Sequence, residues 1–178
     1  MYWTEFFTIA IAHLFAVASP GPDFAVVLKQ CVTSGTRSGI WTSLGVGAAI
    51  LLHVTYCIFG VALLLTQSPL LFLAVRYLAA IYLLYLGVAA IKESMKIKSA
   101  EIEISSALEI KPVQAFYLGF LTNGLNPKAT LFFLSLFTVA ISPATPTFVQ
   151  AGYGLYLAVA TFAWFTMLSV VLGREKFR

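Results

Sequence analysis

The stretch Ser19-Pro20-Gly21-Pro22-Asp23 interrupts an apolar run from Phe6 to Val32. The run is longer than the roughly 20 residues that an α-helix needs to cross a bilayer. Two prolines remove helical hydrogen bonds and clash with the preceding turn, and the glycine between them adds a flexible joint. Ser19 followed by Pro20 is typical of a helix N-cap with proline at the first helical position. The stretch therefore predicts a membrane helix that breaks and restarts as a half-helix.

The chain as a whole has the composition of a membrane protein. Of its 178 residues, 60% are hydrophobic and 10% are charged, whereas a soluble domain is about half apolar and about a quarter charged. Only helices and closed barrels satisfy their backbone in lipid, and the alternating pattern of barrel strands is absent. The sequence predicts an all-α polytopic transmembrane bundle in one integral-membrane domain, 1–178. Its five spans are expected at about 6–32, 39–65, 70–91, 115–141 and 148–172.

Basic residues beside alternate connectors predict the orientation. Nine of them fall on one side of the predicted bundle: Lys29, Arg37, Lys92, Lys96, Lys98, Lys111, Arg174, Lys176 and Arg178. The positive-inside tendency makes that side cytoplasmic and places the N-terminus outside. The connector 92–111 is interpreted either as an amphipathic surface helix or as a solvated loop. The net charge of +4 then reflects topology, and no nucleic-acid partner is expected.

A second motif, Asn123-Gly124-Leu125-Asn126-Pro127-Lys128, interrupts the fourth span. Asn126-Pro127 repeats the pattern of a cap followed by first-turn proline. It lies 107 residues after Ser19-Pro20, and each pair falls in the first span of a three-helix half. This spacing predicts a 3+3 inverted repeat, as found in secondary transporters. We expect the two motifs to lie close together between the first and fourth spans.

Charged residues inside spans are the strongest candidates for a binding site. Asp23 is the only acidic residue deep within a span, where a charge costs about 2.5–3.5 kcal/mol on insertion scales. Asp23 is interpreted as the partner of a substrate ammonium or of a coupling proton, or else as a helix cap. Lys128 and the half-helix N-termini are interpreted as partners of a carboxylate. The alternative for Lys128 is that its side chain reaches to the membrane interface.

The remaining candidates are polar groups and the motif residues themselves. The predicted substrate- or proton-binding set is Pro20, Gly21, Pro22, Asp23, Asn123, Asn126, Pro127 and Lys128. The two asparagines have interhelical hydrogen bonding as their alternative role. His13 and His53 are candidate proton relays because histidine titrates near neutrality, with packing as the alternative. The glycines Gly45 and Gly47 are expected to permit close helix contact.

No pattern in the sequence supports enzymatic chemistry. It contains no Walker loop, no His/Cys metal cluster and no Ser/His/Asp set. Cys31 and Cys57 are expected far apart in depth and therefore as free thiols, since a disulfide needs Cα atoms within about 7 Å. We expect a protein that is not an enzyme and that uses no cofactor or metal.

Both motifs resemble signatures of the LysE/RhtB family of bacterial amino-acid exporters. The stretch Ser19 to Phe24 is similar to the family's S-P-G-P signature, and Gly119 to Ala129 is similar to its T-N-x-x-N-P-K-A signature. His13 and Ala163-Trp164-Phe165-Thr166 are most similar to the threonine/homoserine branch. The resemblance implies proton-driven export of a small amino acid such as threonine or homoserine across the bacterial inner membrane. The resemblance does not decide whether the protein forms a homo-oligomer.

Two alternatives accompany that function. The first is export of lysine, leucine or another amino acid, because short motifs in this family do not determine the substrate. The second is a truncated, non-transporting membrane protein, because the family's six helices exceed the five spans counted here.

Overall fold

The structure, a computed structural model, describes residues 2–94 and 110–173, and in these ranges it contains seven α-helices and no strand. The helices are α1 Tyr2–Ala18, α2 Pro22–Ser34, α3 Thr36–Gln67, α4 Pro69–Ser94, α5 Pro112–Gly124, α6 Pro127–Val139 and α7 Thr147–Leu172. The predicted all-helical class is confirmed. Most of the connector 92–111 and all of the segment 174–178, which carries three of the nine basic residues, lie outside the described ranges.

Three helices are long and apolar enough to cross a membrane individually: α3, α4 and α7. They match the predicted second, third and fifth spans to within a few residues. The helices α1 and α2 meet at a bend of 54° and form a fourth, broken span if they are taken together. The predicted span 115–141 consists of two half-helices of 13 residues, α5 and α6. Within the described residues, length and apolarity therefore support three spans, or four if α1 and α2 form one, and the five-span bundle stays a prediction.

The first helix break differs in detail from the prediction. The helix α1 ends at Ala18, and the residue that caps α2 is Gly21, with extended dihedrals of φ −166° and ψ −175°. Pro22 occupies the first helical position. The predicted cap, Ser19, and the predicted first helical residue, Pro20, both lie in the linker. The reason is that proline disfavours the helical conformation for the residue before it. Pro22 therefore keeps Gly21 extended, and the helix cannot start at Pro20.

The second break follows the prediction. Asn126 caps α6 with its side-chain oxygen, which accepts a hydrogen bond from Lys128 N at 3.0 Å, and Pro127 is the first helical residue. Gly21-Pro22 and Asn126-Pro127 are thus the equivalent pairs, so the breaks lie 105 residues apart rather than 107. In this register Asp23 and Lys128 are each the second residue of a 13-residue half-helix.

Polar contacts identify the two ends of the bundle. At one end, Glu5 near the start of α1 accepts hydrogen bonds from Ser142 N and Thr145 Oγ1 in the α6–α7 link. At the other end, Cys31 Sγ near the end of α2 donates to Ser169 O near the end of α7. The half-helices α2 and α6 therefore run from the two breaks toward opposite ends of the bundle.

Helix α3 is the centre of the bundle and packs against α2, α5, α6 and α7. Its approach to α5 is unusually close, because a Cβ on Gly45 would lie 2.0 Å from Phe116 O and a Cβ on Gly119 would lie 2.1 Å from Thr42 O. A Cβ on Gly47 would lie 3.0 Å from Ala158 O of α7. The prediction that Gly45 and Gly47 permit close helix contact is confirmed.

Large apolar side chains cover much of the outer surface, and α4 carries many of them. Its exposed residues include Leu70, Tyr77, Leu78, Ile81, Leu84 and Tyr85, each more than 60% exposed. In water such a surface would be strongly unfavourable, whereas lipid tails are a suitable solvent for it. The two cysteines are both buried and do not form a disulfide, as predicted.

Candidate functional site

A cavity of about 600 Å³ lies between the two helix breaks. The first break lines it with Pro20, Gly21, Pro22 and Asp23, and the second lines it with Asn123, Asn126 and Lys128. The two motifs therefore lie together, as the sequence predicted. Its volume falls in the range of about 300–1,000 Å³ that is typical of small-molecule sites.

Apolar side chains form most of the remaining cavity wall. They come from α1, α3, α4 and α6, and include Phe15, Ile50, Leu83, Leu86, Phe132 and Phe133. A mostly apolar wall with a few polar groups is typical of a pocket that binds a small organic molecule. Pro127 is the one motif residue of the predicted set that is absent from the wall. It starts α6 and orients the residues that follow it.

Asp23 and Asn123 form the polar centre of the site. Asn123 Nδ2 donates to Asp23 Oδ2 at 2.9 Å, which links the start of α2 to the end of α5 across 100 residues of sequence. The other oxygens, Asp23 Oδ1 and Asn123 Oδ1, are buried and have no hydrogen-bond partner among the described residues. Buried polar atoms without partners are rare in folded proteins. Two such acceptors on neighbouring side chains form a suitable site for an ammonium group.

Lys128 brings a positive charge to the same cavity. Its backbone N–H is used by the Asn126 cap, while its side chain lines the cavity and is exposed. The ammonium attracts the Asp23 carboxylate electrostatically, yet within residues 2–94 and 110–173 no direct hydrogen bond joins them. Lys128 also sits at the positive end of the α6 dipole, where an anion is the favourable partner. The site thus offers separate partners for a cation and an anion.

His13 and its partner Thr161 add polar groups to the cavity wall. His13 Nε2 lies 2.8 Å from Thr161 Oγ1 of α7, and both side chains are buried. Thr161 was not singled out by the sequence, since a threonine inside an apolar helix carries no signal of its own. The relay role predicted for His13 stays a prediction.

His53 lies behind the cavity rather than in its wall. The side chain is fully buried on α3, with Nε2 at 3.1 Å from Asn123 O and Nδ1 in contact with the Tyr56 hydroxyl. Of the two candidate relays, His13 therefore lines the cavity and His53 does not.

Glu5 is a buried carboxylate that the sequence analysis did not select. It is 7% exposed and accepts hydrogen bonds from Ser142 N at 3.0 Å and Thr145 Oγ1 at 2.8 Å, and Tyr153 Oη lies 3.2 Å from it. These contacts tie the start of α1 to the α6–α7 link. Glu5 is remote from the helix breaks and closes one end of the bundle.

The fold and the site define a class: a helical membrane protein with a mostly apolar cavity that carries a few polar groups and lies between two helix breaks. Irregular backbone at membrane depth is tolerated where it is buried in protein or lines such a cavity. The chain belongs to the LysE type translocator family, which it matches over residues 14–178. The resemblance found in the two motifs is confirmed.

Relatives of the chain are efflux proteins and membrane proteins from bacteria. It is 25% identical to the threonine efflux protein of Escherichia coli K12 over 173 residues, or 97% of this chain and 84% of the relative. It is 36% identical to the leucine efflux protein of Salmonella choleraesuis, over 90% of this chain and 71% of the relative. It is 34% identical to an uncharacterized membrane protein of Pseudomonas aeruginosa, over 79% of this chain and 65% of the relative. No solved structure matches the chain.

The family identifies the protein as an amino-acid efflux transporter homologue embedded in a membrane. Its relatives are transporters rather than enzymes, so the expectation that the chain is not an enzyme is confirmed.

Proposed function

We propose that this protein exports a small neutral amino acid, threonine or a homoserine-like compound, across the bacterial inner membrane as a proton-coupled secondary transporter. The observation that carries the proposal is the cavity between the helix breaks. Among the described residues, it presents a buried carboxylate oxygen that lacks a hydrogen-bond partner and a lysine ammonium that is not hydrogen-bonded to that carboxylate.

A free amino acid is a zwitterion, so its site must satisfy an ammonium and a carboxylate close together. Asp23 Oδ1 and Asn123 Oδ1 are assigned to the ammonium, because both are buried acceptors beside one another. Lys128 and the N-terminal N–H groups of the half-helices are assigned to the carboxylate. Asp23 can also carry a proton when no substrate is bound, which would couple export to the proton gradient.

The wall of the cavity favours a neutral side chain. Asp23 is the one acidic residue among the described lining residues, and it is already assigned to the α-ammonium. Lysine would bring a second ammonium without a matching acid, and burying an unpaired charge is costly. The hydrogen-bonded pair His13 and Thr161 adds polar groups to the cavity wall, which favours a substrate with a hydroxyl group, such as threonine or homoserine. The phenylalanines of the cavity wall would suit an apolar side chain, so leucine is the second candidate substrate.

The arrangement of the half-helices supports an inverted repeat as the basis of transport. Both α2 and α6 start with a cap and a proline, contain 13 residues and run away from the cavity in opposite directions. We propose one integral-membrane domain, 1–178, in which α1–α2 and α5–α6 each form one broken span and α3, α4 and α7 form three more. The positive-inside tendency of the basic residues supports an N-terminus on the outer side of the membrane.

Export from cells tests the proposal. Cells that express the wild type should release labelled threonine faster than cells that express Asp23→Asn or Lys128→Gln, while all three proteins reach the membrane in equal amounts. The reduction of labelled threonine export by unlabelled homoserine, leucine or lysine ranks these amino acids as substrates. Wild-type protein that inserts normally but exports none of the four would contradict the proposal and support a non-transporting membrane protein.

A further inference from the structure

His53 connects the centre of the bundle to the second helix break. It is fully buried on α3, and its ring stacks on Phe133 of α6 with centroids 5.3 Å apart and an interplanar angle of 14°. Its Nε2 lies 3.1 Å from the backbone oxygen of Asn123, in the last turn of α5. One side chain therefore contacts both half-helices on either side of the α5–α6 break, which comprises Leu125 and Asn126.

The hydrogen-bond partners of His53 determine its tautomer. A carbonyl oxygen can only accept, so Nε2 must carry the hydrogen that it donates to Asn123 O. A neutral imidazole has one donor and one acceptor, so Nδ1 accepts from the Tyr56 hydroxyl. Both nitrogens are thus occupied by protein groups, and the ring has no contact with the cavity.

Asn123 is held at its backbone so that its side chain can reach Asp23. The last four carbonyl groups of a helix lack partners within it. Asn123 O receives two donors from elsewhere, Asn126 N at 2.9 Å and His53 Nε2 at 3.1 Å. With its backbone fixed, Asn123 donates Nδ2 to Asp23 Oδ2 at 2.9 Å. The contacts form a chain from Tyr56 through His53 and Asn123 to the carboxylate of Asp23.

We propose that His53 is a positioning residue that holds Asn123, and through it Asp23, in the geometry that binds the substrate ammonium. It does this as a neutral hydrogen-bond donor and takes no part in proton transfer. The inference rests on the proposed function, because the group it positions is the one assigned to the ammonium.

Two substitutions of equal polarity separate positioning from proton relay. His53→Gln can place an amide N–H near the position of Nε2 but cannot titrate. His53→Asn is also polar and non-titrating, but its shorter side chain does not reach Asn123 O. We expect His53→Gln to bind and export threonine within about threefold of the wild type. We expect His53→Asn to bind about tenfold more weakly, which is the size of one net hydrogen bond.

The pH profile of export distinguishes a positioning role of His53 from a proton-relay role most clearly. With His53 as a positioning residue, His53→Gln keeps the wild-type profile. A relay role predicts instead that both variants lose the pH dependence and most of the export. That result would overturn the proposal, and so would equal, wild-type affinity in both variants.

Hydrogen exchange provides a readout that does not depend on transport. In the full chain in detergent, amides at the α5–α6 break should exchange faster in His53→Asn than in the wild type, whereas His53→Gln should resemble the wild type. If wild-type protein binds no amino acid, the proposed function fails, yet this exchange pattern still tests the positioning contact. Equal exchange in all three proteins would contradict it.

Discussion

The close contact between α3 and α5 makes a strong quantitative prediction. At Gly45 an added Cβ would lie 2.0 Å from Phe116 O and 2.8 Å from Phe120 N, and at Gly119 it would lie 2.1 Å from Thr42 O. These neighbours are backbone atoms, so no side-chain rotation relieves the overlap. The helices α3 and α5 would have to separate by about 1.4 Å for a Cβ on Gly45 to reach an ordinary 3.4 Å contact.

Overpacking of this kind costs about 1–3 kcal/mol and occasionally more. The overlap at Gly45 is with backbone atoms, so its cost lies at the upper end of that range, about 3 kcal/mol. Alanine recovers up to about 1 kcal/mol through its higher helix propensity, so Gly45→Ala should lose about 2 kcal/mol net. With about 2–4 °C per kcal/mol for a chain of this size, the melting temperature should fall by about 4–8 °C. Because α5 ends at the residues that contact Asp23, threonine binding should weaken as well.

Gly60→Ala and Gly152→Ala are matched controls, because a Cβ at either position meets nothing within 4 Å. Both should melt at or slightly above the wild-type temperature when the purified proteins are heated in detergent and followed by tryptophan fluorescence. Gly119→Ala should behave like Gly45→Ala. Wild-type stability in both Gly45→Ala and Gly119→Ala would refute the close packing of α3 on α5.

Three further predictions concern other parts of the fold. Replacing Glu5 by glutamine should lower stability by about 1–3 kcal/mol, because it removes charge-assisted bonds to the α6–α7 link; faster hydrogen exchange in that link is the measurement, and unchanged exchange would exclude a role in closing that end. Asn126→Ala should lose about 1 kcal/mol through the lost cap, whereas Asn126→Ser, which keeps a capping oxygen without adding a charge, should retain stability; equal melting of the two variants would show that the cap contributes nothing. A cysteine at Gln67 should react with an impermeant reagent from outside the cell, and labelling only from the cytoplasm would reverse the proposed orientation.

The parts of the structure that follow from local chemistry could be predicted from the sequence. Prolines fix where a helix can start, so both breaks were found, and the long apolar blocks gave the helical class. The exact start of α2 was missed by two residues, because two closely spaced prolines compete for the first helical position. The restriction that Pro22 imposes on Gly21 decides that competition.

Contacts between distant residues could not be predicted in the same way. His13 meets Thr161 across 148 residues, and Glu5 meets Thr145 across 140. A single sequence carries no information about such pairs, because each residue is compatible with many partners. His53 was predicted as a proton relay from its ability to titrate alone. Its contacts with Asn123 and Phe133 follow instead from the packing of α3 on the second helix break.

The central claim is that one amino acid binds with its ammonium at Asp23 and its carboxylate at Lys128. The most direct measurement is equilibrium binding of threonine, its methyl ester and its N-acetyl derivative to purified wild type, Asp23→Asn and Lys128→Gln. Loss of a charged hydrogen bond costs about 1.5–3 kcal/mol, so each substitution should weaken threonine binding by about ten- to hundredfold. The methyl ester, which lacks the carboxylate, should be insensitive to Lys128→Gln, and N-acetylthreonine, which lacks the ammonium, should be insensitive to Asp23→Asn. Threonine affinity that is unchanged by both substitutions, or the opposite pairing of derivative and residue, would contradict the account.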